Sequence, residues 1–234
     1  MPVLLRTPLE TFHHQETGGR IDLVGAIHAA DPGYYDYLQG VLDRRTLDGA
    51  CVQYEGTSDP TPEQLKTASP DLRARWAVVK EYDREKGKAY LSAGFALQNR
   101  AILYRPSWQN CDTSALDVIE RTNPADFEHM KTHTKLYREL GTLAVSERRL
   151  LLLELFAKMA TKMDEPPTEE HEGRYVLGGR TAIALNRLDQ QEEARPGSDY
   201  VMLWGAGHLM GFRKGLWARN YKMTKRQLVA AVRC

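Results

Sequence analysis

The sequence predicts an α/β fold with a central mixed or mainly parallel sheet flanked by helices. Residues 20–27 and 50–54 are short apolar stretches bounded by turn signals, which is typical of buried strands. A helix is predicted between them because Asp31-Pro32 places a proline in a first helical turn. A strand, a helix and a strand within about 35 residues have the size of a right-handed βαβ unit with parallel strands.

The remaining pattern predicts a single domain over residues 1–234 with a helical insertion over about 60–165. We expect this insertion to form a lid over the strand ends, where it would set substrate choice. Its predicted elements are helices at 61–67, over much of 70–100, at 124–140 and at 146–163, with a short strand at 101–105. Outside it, the predicted elements are an edge strand at 3–12, an acidic loop at 164–173, a helix to about Gln191, a strand at 199–204 and a helix to about Asn220.

Composition and charge exclude several classes of protein. With 32 basic and 31 acidic residues the net charge is +1, and no run of Lys or Arg suggests binding to nucleic acid or to a membrane surface. No stretch of about 18 apolar residues is present to span a bilayer, and the N-terminus lacks a signal-peptide pattern. The three cysteines are scattered, which fits a reducing compartment, so we predict a cytoplasmic protein. The apolar face of the helix over 147–162 packs on the sheet or forms a homodimer, and the sequence leaves both open.

Titratable residues follow three predicted strands at the point where each strand ends. His28 and His208 each stand three residues after a glycine, Gly25 and Gly205, and Glu55 closes the second strand of the βαβ unit. Ligands of open α/β sheets bind beyond the carboxyl ends of the strands, so we expect these side chains to form a functional site. Each glycine lets the backbone pass close to a ligand or a neighbouring strand. Taken alone, either histidine is more simply a loop residue that satisfies backbone groups.

Other polar residues have simpler structural interpretations. His129 and His133 share a helix face with the spacing of a metal pair, but the helix is highly polar and a solvated face is the simpler interpretation. The same holds for the remaining candidates: His13, His14 and His171 in solvent, Arg148 and Arg149 as surface charge, and Tyr34, Tyr35, Cys51 and Cys111 as packing residues.

Four segments resemble motifs of the TraB/TIKI/GumN-like group. IDLVGAIHAADPGYYDYLQGVL with DGACVQYEG is similar to its first motif, and YVMLWGAGHLMGFRKGLWARNYKM is similar to its closing motif. ILYRPSWQNCD resembles an internal segment that ends in an acidic residue, here Asp112, and VLGGRTAIALNRL resembles the helix with a functional arginine, here Arg180. The neighbours of Arg180 are Gly179 and Thr181, where the group commonly has an acidic residue before and an Asn or Asp after.

The resemblance implies a fold related to the erythromycin-esterase-like and haem-binding ChaN-like proteins, and hydrolysis of an amide or ester in a peptide or small molecule. TIKI members are described as divalent-metal-dependent proteases, so the prediction is a metalloprotease-like hydrolase with Mn, Co or Zn. An N,N,O set of His28, His208 and Glu55 is compatible with such a metal and its bound water. In this scheme Glu55 is the third ligand or the general base, Asp112 orients a histidine, and Arg180 stabilises the oxyanion.

Two alternatives stay open at this level. In a metal-independent esterase, His28 would be the general base, Glu55 would fix its tautomer, and His208 and Arg180 would hold the carbonyl oxygen. In a non-catalytic protein, the same pocket would bind a peptide, a metal or haem without turnover. A purely structural interaction domain would need none of these residues.

Overall fold

The computed structural model describes residues 2–163 and 175–234. The strands of these residues are β1 (Val3–His14), β2 (Arg20–Ala26), β3 (Ala29–Ala30), β4 (Cys51–Tyr54), β5 (Ala96–Leu97), β6 (Gln109–Asn110), β7 (Tyr200–Gly205) and β8 (Tyr221–Arg233). The helices are α1 (Pro32–Leu47), α2 (Pro62–Thr67), α3 (Pro70–Ser92), α4 (Gln98–Ala101), α5 (Ala115–Arg121), α6 (Pro124–Thr142), α7 (Val145–Met163), α8 (Arg180–Ala194) and α9 (Leu209–Ala218). A π-helical turn (Tyr175–Gly179) leads into α8, and a 3-10 turn (Ala206–His208) leads into α9.

Six strands form one sheet in the order β6-β4-β7-β2-β1-β8. The first four are parallel, while β1 runs antiparallel to both β2 and β8. The predicted α/β class with a mixed, mainly parallel sheet is thus confirmed. The strands of the predicted βαβ unit, β2 and β4, are parallel as expected, but β7 lies between them and pairs with both.

The prediction of an edge strand near the N-terminus is wrong. β1 is covered by β8, which pairs with it from Val3 to His14 and which the sequence reasoning missed. β8 is hard to find because only Tyr221 and a few residues near its C-terminal end, such as Val229 and Ala231, are buried. Most of the residues between them are polar or charged, and all but Met223 are exposed, so the alternation that identifies a strand is weak.

The predicted strand over 101–105 is also wrong. α4 occupies the first of these residues, and Ile102 follows it as a buried, extended residue. The backbone N–H of Leu103 donates to the side chain of Gln39 (2.8 Å) and not to a neighbouring strand. Apolar residues here serve the core without any strand pairing, and the strand of this region is the two-residue β6.

The predicted helices of the insertion are present. α3 continues through Gly87 and ends beside Gly94, whose φ of +83° is a conformation that favours glycine. Side-chain caps on Thr61, Ser69 and Asn123 begin α2, α3 and α6. The loop predicted at 164–173, with His171, lies outside the described residues.

The sheet separates two apolar cores. Along β7, Val201 and Leu203 face the core shared with α1, α3 and α7, whereas Met202 and Trp204 face α8 and α9. Leu152 and Phe156 of α7 are fully buried in the first core, so the apolar face of this helix packs within the chain. No helix among residues 2–163 and 175–234 is long and apolar enough to cross a membrane.

Candidate functional site

The four parallel strands bring the predicted polar residues to one edge of the sheet. Strand pairing aligns Ala26 with Gly205, and Tyr54 with both Leu203 and Asn110. Since the strands are parallel, the residues that follow them meet at their carboxyl ends. The residues placed there are His28 after β2, Glu55 after β4, Asp112 after β6 and His208 after β7.

Arg180, the first residue of α8, binds two of these carboxylates. Its Nη2 donates to Glu55 Oε1 (2.7 Å) and also contacts Asp112, while its Nε donates to Asp112 Oδ1 (2.9 Å). All three side chains are at least nine-tenths buried. Nη1 of Arg180 forms no hydrogen bond within the described residues, so it can serve a ligand. The role predicted for Asp112 is to orient a histidine; among the described residues it binds the arginine and no histidine.

Glu55 is ionised at the centre of this network. Burial alone would raise the pKa of its carboxyl, but the His208 hydrogen bond and charge, together with Arg180 and His28, hold that pKa below its usual value. The backbone N–H of Gly205 also donates to Oε2 (2.5 Å). Both carboxylate oxygens of Glu55 are therefore occupied by donors.

The glycine of each GxxH motif has a separate packing reason. A Cβ on Gly205 would lie 2.9 Å from Glu55 Oε2, so a side chain there would displace the carboxylate. A Cβ on Gly25 would meet the Leu209 side chain and the Pro8 carbonyl oxygen, both at 3.0 Å. Gly205 serves the site directly, whereas Gly25 permits close packing of β2 against β1 and α9.

The tautomer of His208 is fixed by Thr181, which the sequence reasoning considered only as an unusual neighbour of Arg180. The Thr181 hydroxyl donates to the Leu177 carbonyl (2.7 Å) and lies 2.9 Å from His208 Nδ1. A hydroxyl has one hydrogen, so Nδ1–H must be the donor to Thr181 Oγ1. Nε2 of His208 then faces Glu55 Oε1 at 3.6 Å.

His28 differs from His208 because solvent reaches its side chain. Its own carbonyl accepts from the backbone N–H of Gln98 (3.0 Å), which fixes the loop after β2. The protein around the ring excludes enough water to lower the pKa of His28, and the positive charge of Lys86 lowers it further. The Glu55 charge opposes this shift without reversing it, so the imidazole is neutral at neutral pH.

The arrangement of donors does not fit the predicted metal ion. Glu55 has both oxygens engaged by Arg180 and Gly205, and Asp112 has both engaged by Arg180. Among residues 2–163 and 175–234, no group of three or more His, Cys, Asp or Glu side chains is placed to hold a metal. The positive charge that a metal would bring between these carboxylates is supplied by Arg180.

Most of the remaining candidates have the structural roles that the sequence predicts. The rings of His129 and His133 are 5.0 Å apart on α6, and His129 is exposed. Tyr34 and Tyr35 are buried, and their hydroxyls donate to the carbonyls of Gly25 (3.0 Å) and Ile27 (2.6 Å). Burial raises the pKa of the Cys51 and Cys111 thiols, which does not favour a thiolate nucleophile.

Arg148 corrects one of these predictions, because it is buried and not part of the surface charge. Its guanidinium donates to the carbonyls of Leu140 (2.8 Å), Gly141 (3.0 Å) and Leu143 (2.8 Å). These are the last carbonyls of α6 and its cap, which a cation satisfies well. Arg149 donates to the carbonyl of Ala93 (3.0 Å) and so ties α7 to the end of α3.

Comparisons with known proteins identify no family. No protein-family model matches the sequence, and neither a curated protein nor a solved structure matches the chain. Membership of the TraB/TIKI/GumN-like group stays a prediction that rests on the quoted motifs.

Proposed function

We propose that the protein is a hydrolase that cleaves an amide or ester bond, with His28 as general base and Arg180 as the group that stabilises the oxyanion. The observation that carries this proposal is a neutral, solvent-reached imidazole beside a buried arginine with an unused N–H group. Neutral imidazole is the general base most often used near neutral pH. Fixed donors aimed at a developing oxyanion commonly give the largest single contribution to acyl-transfer catalysis.

In the proposed reaction, His28 takes a proton from water while the water oxygen adds to the substrate carbonyl. The electron pair of the carbonyl moves to its oxygen, which accepts hydrogen bonds from Nη1 of Arg180. Collapse of this intermediate reforms the carbonyl and breaks the bond to the leaving group, which takes the proton from the His28 imidazolium. Glu55 and Asp112 stay ionised throughout and hold the guanidinium in place.

His208 completes the site beside Glu55. The contact with Thr181 fixes the orientation of the His208 ring and holds its Nε2 toward the Glu55 carboxylate. His208 is therefore assigned a positioning role, which differs from the metal-ligand role inferred from the resemblance.

The metal-dependent version of the same activity would require Glu55 to leave Arg180 and the backbone N–H of Gly205. Metal ligation by His28, His208 and Glu55 is therefore the second candidate, and a chelator experiment separates the two. Haem or peptide binding without turnover is the third candidate function, and it does not require a general base.

The test is hydrolysis of a library of short peptides and of simple aryl esters by the wild type, His28→Ala and His129→Ala. His129 is an exposed histidine of α6 and serves as the matched control. We expect turnover by the wild type and by His129→Ala, and a loss of about 10²- to 10⁴-fold in His28→Ala. No turnover by the wild type on any substrate would contradict the proposal.

A second measurement addresses the metal. Metal content is determined by plasma mass spectrometry after dialysis and reloading with Mn, Co or Zn, for the wild type and for His28→Ala/His208→Ala. We expect activity to survive chelation. Near-stoichiometric metal in the wild type, lost in the double variant together with activity after chelation, would replace this mechanism by the metal-dependent one.

A further inference from the structure

Lys86 of α3 is a cation next to the site that none of the motifs includes. Gly87, its neighbour in the helix, would bring a Cβ within 3.4 Å of the Leu97 side chain. Leu97 pairs with Ala29, the residue that follows His28. These contacts place the part of α3 around Gly87 next to the loop that carries His28. The positive charge of Lys86 also lowers the pKa of His28.

The Lys86 ammonium has no close negative partner in the described parts of the chain. Its Nζ lies 5.2 Å from the centroid of the Tyr82 ring, and no carboxylate of residues 2–163 and 175–234 comes within salt-bridge distance of it. Asp83 acts on it only at longer range. The lysine two residues on, Lys88, is exposed and pairs with Glu85 (3.2 Å).

A cation that is half-buried and unpaired is costly, because burial removes hydration that no partner replaces. Ionisable groups perturbed in this way cluster at ligand-binding and catalytic sites. At the other cation of the site, Arg180, two carboxylates are in direct contact with the guanidinium. Lys86 is therefore the cation beside the imidazole that has no carboxylate in contact among the described residues, so its ammonium can contact a negatively charged group of a ligand.

We propose that Lys86 binds a carboxylate of the substrate, so that the protein prefers substrates with a free carboxylate near the bond that is cleaved. The identification of this ligand as a substrate rests on the proposed function, but the binding of a carboxylate by Lys86 does not depend on turnover. Lysine suits this role because its ammonium is a compact charge on a flexible stem that can follow ligands of different length. The solvent-reached side of His28 provides the route by which such a ligand enters.

The binding test uses N-acetylglycine and its uncharged partner N-acetylglycinamide as probes, with affinities measured by NMR titration. The wild type and Lys86→Arg are expected to prefer the carboxylate by about tenfold or more, the range of one charge-assisted contact. Lys86→Met should lose this preference and keep its affinity for the amide. Lys88→Met is the matched control, from the same helix, and should equal the wild type.

Three results would overturn the proposal. The first is equal affinity of the wild type for the two probes, including no binding of either. The second is an undiminished preference of Lys86→Met for N-acetylglycine over N-acetylglycinamide. The third is tighter binding of inorganic phosphate than of N-acetylglycine by the wild type. Circular dichroism melts establish that the variants are folded, and Lys86→Arg keeps the test decisive if Lys86→Met is not. Absence of turnover together with a Lys86-dependent carboxylate preference would contradict the proposed hydrolysis alone, which separates the two proposals.

Discussion

The two ends of the parallel strands each hold an arginine between carboxylates, yet they differ in chemistry. At the amino-terminal end, Arg45 of α1 bridges Asp22 and Asp199, each at 2.8 Å. Asp22 is further bound by Arg20 (2.8 Å) and by the Thr11 hydroxyl (2.7 Å). At the carboxyl end, Arg180 bridges Glu55 and Asp112 in the same manner.

The difference lies in what surrounds each cluster. Among the described residues, the charged groups around Arg45 form ion pairs with one another, so each of them has a partner within the protein. The Arg180 cluster also includes His208, which faces Glu55, and its charge acts on His28. Lys86, whose charge also acts on His28, has no carboxylate within salt-bridge distance among the described residues. Because the charges of a structural clamp are normally paired within the protein, ionisable groups without such a partner distinguish a functional site from a structural clamp.

Replacing each central arginine by methionine is the strongest test of this distinction. Arg180→Met removes the oxyanion donor, so kcat should fall by about 10²- to 10³-fold in the protein that remains folded. Arg45→Met should leave kcat of the folded fraction unchanged. Activity per folded molecule, with the folded fraction taken from circular dichroism, measures both; equal losses of kcat in the two variants would show that the ends do not differ as we propose.

Stability should respond in the opposite sense at the amino-terminal end. Asp22 is fully buried, so Asp22→Ala leaves Arg45 and Arg20 without their shared partner and should cost about 3 kcal/mol of unfolding free energy. Asp48 also pairs with Arg45, at 3.5 Å, but is half-exposed, so Asp48→Ala should cost less than about 1 kcal/mol. Urea denaturation of both variants gives the comparison, and a larger loss in Asp48→Ala than in Asp22→Ala would contradict it.

The sequence could locate the site because its residues follow apolar strands directly. His28, Glu55 and His208 each stand next to a pattern that predicts a strand end, and parallel strands must bring such ends together. Arg180 and Asp112 came only from the resemblance to a family, since neither stands at a predicted strand end. The structure places all five at one edge.

The rest depends on contacts that no local pattern encodes. β8 is mostly exposed and charged, so its pairing with β1 is decided by the unpaired edge of β1 and not by its own periodicity. Lys86 lies in the middle of a long, charged helix and resembles its solvated neighbours in the sequence. Thr181 could have been found, because it adjoins Arg180 and a threonine in a first helical turn has a hydroxyl free to bind a side chain.

Alanine at two glycines tests how closely the site is packed. In Gly205→Ala the new Cβ would lie 2.9 Å from Glu55 Oε2, so the carboxylate must move. This movement weakens the hydrogen bond between Glu55 and Arg180. We expect kcat/KM to fall by about tenfold, as for a misplaced catalytic group. Gly40→Ala is the control: it lies within α1 with open space around it, and should raise the unfolding free energy by about 0.5–1 kcal/mol without changing activity.

The smallest expected effect is a shift in pH dependence. In the wild type, burial and the Lys86 charge lower the His28 pKa, so the general base stays deprotonated below pH 6.5, its usual pKa, and activity should persist there.

Lys86→Met removes the second of these causes and leaves the first, so the His28 pKa should rise part of the way back toward its usual value. The acid limb of the kcat/KM profile should then move to higher pH by a fraction of a unit, measured on an uncharged ester so that carboxylate binding does not contribute. Lys88→Met should leave the limb in place, because Lys88 is paired with Glu85 on the solvent side of α3. A shift of the acid limb to lower pH in Lys86→Met would contradict this prediction, because loss of a nearby positive charge should raise the His28 pKa.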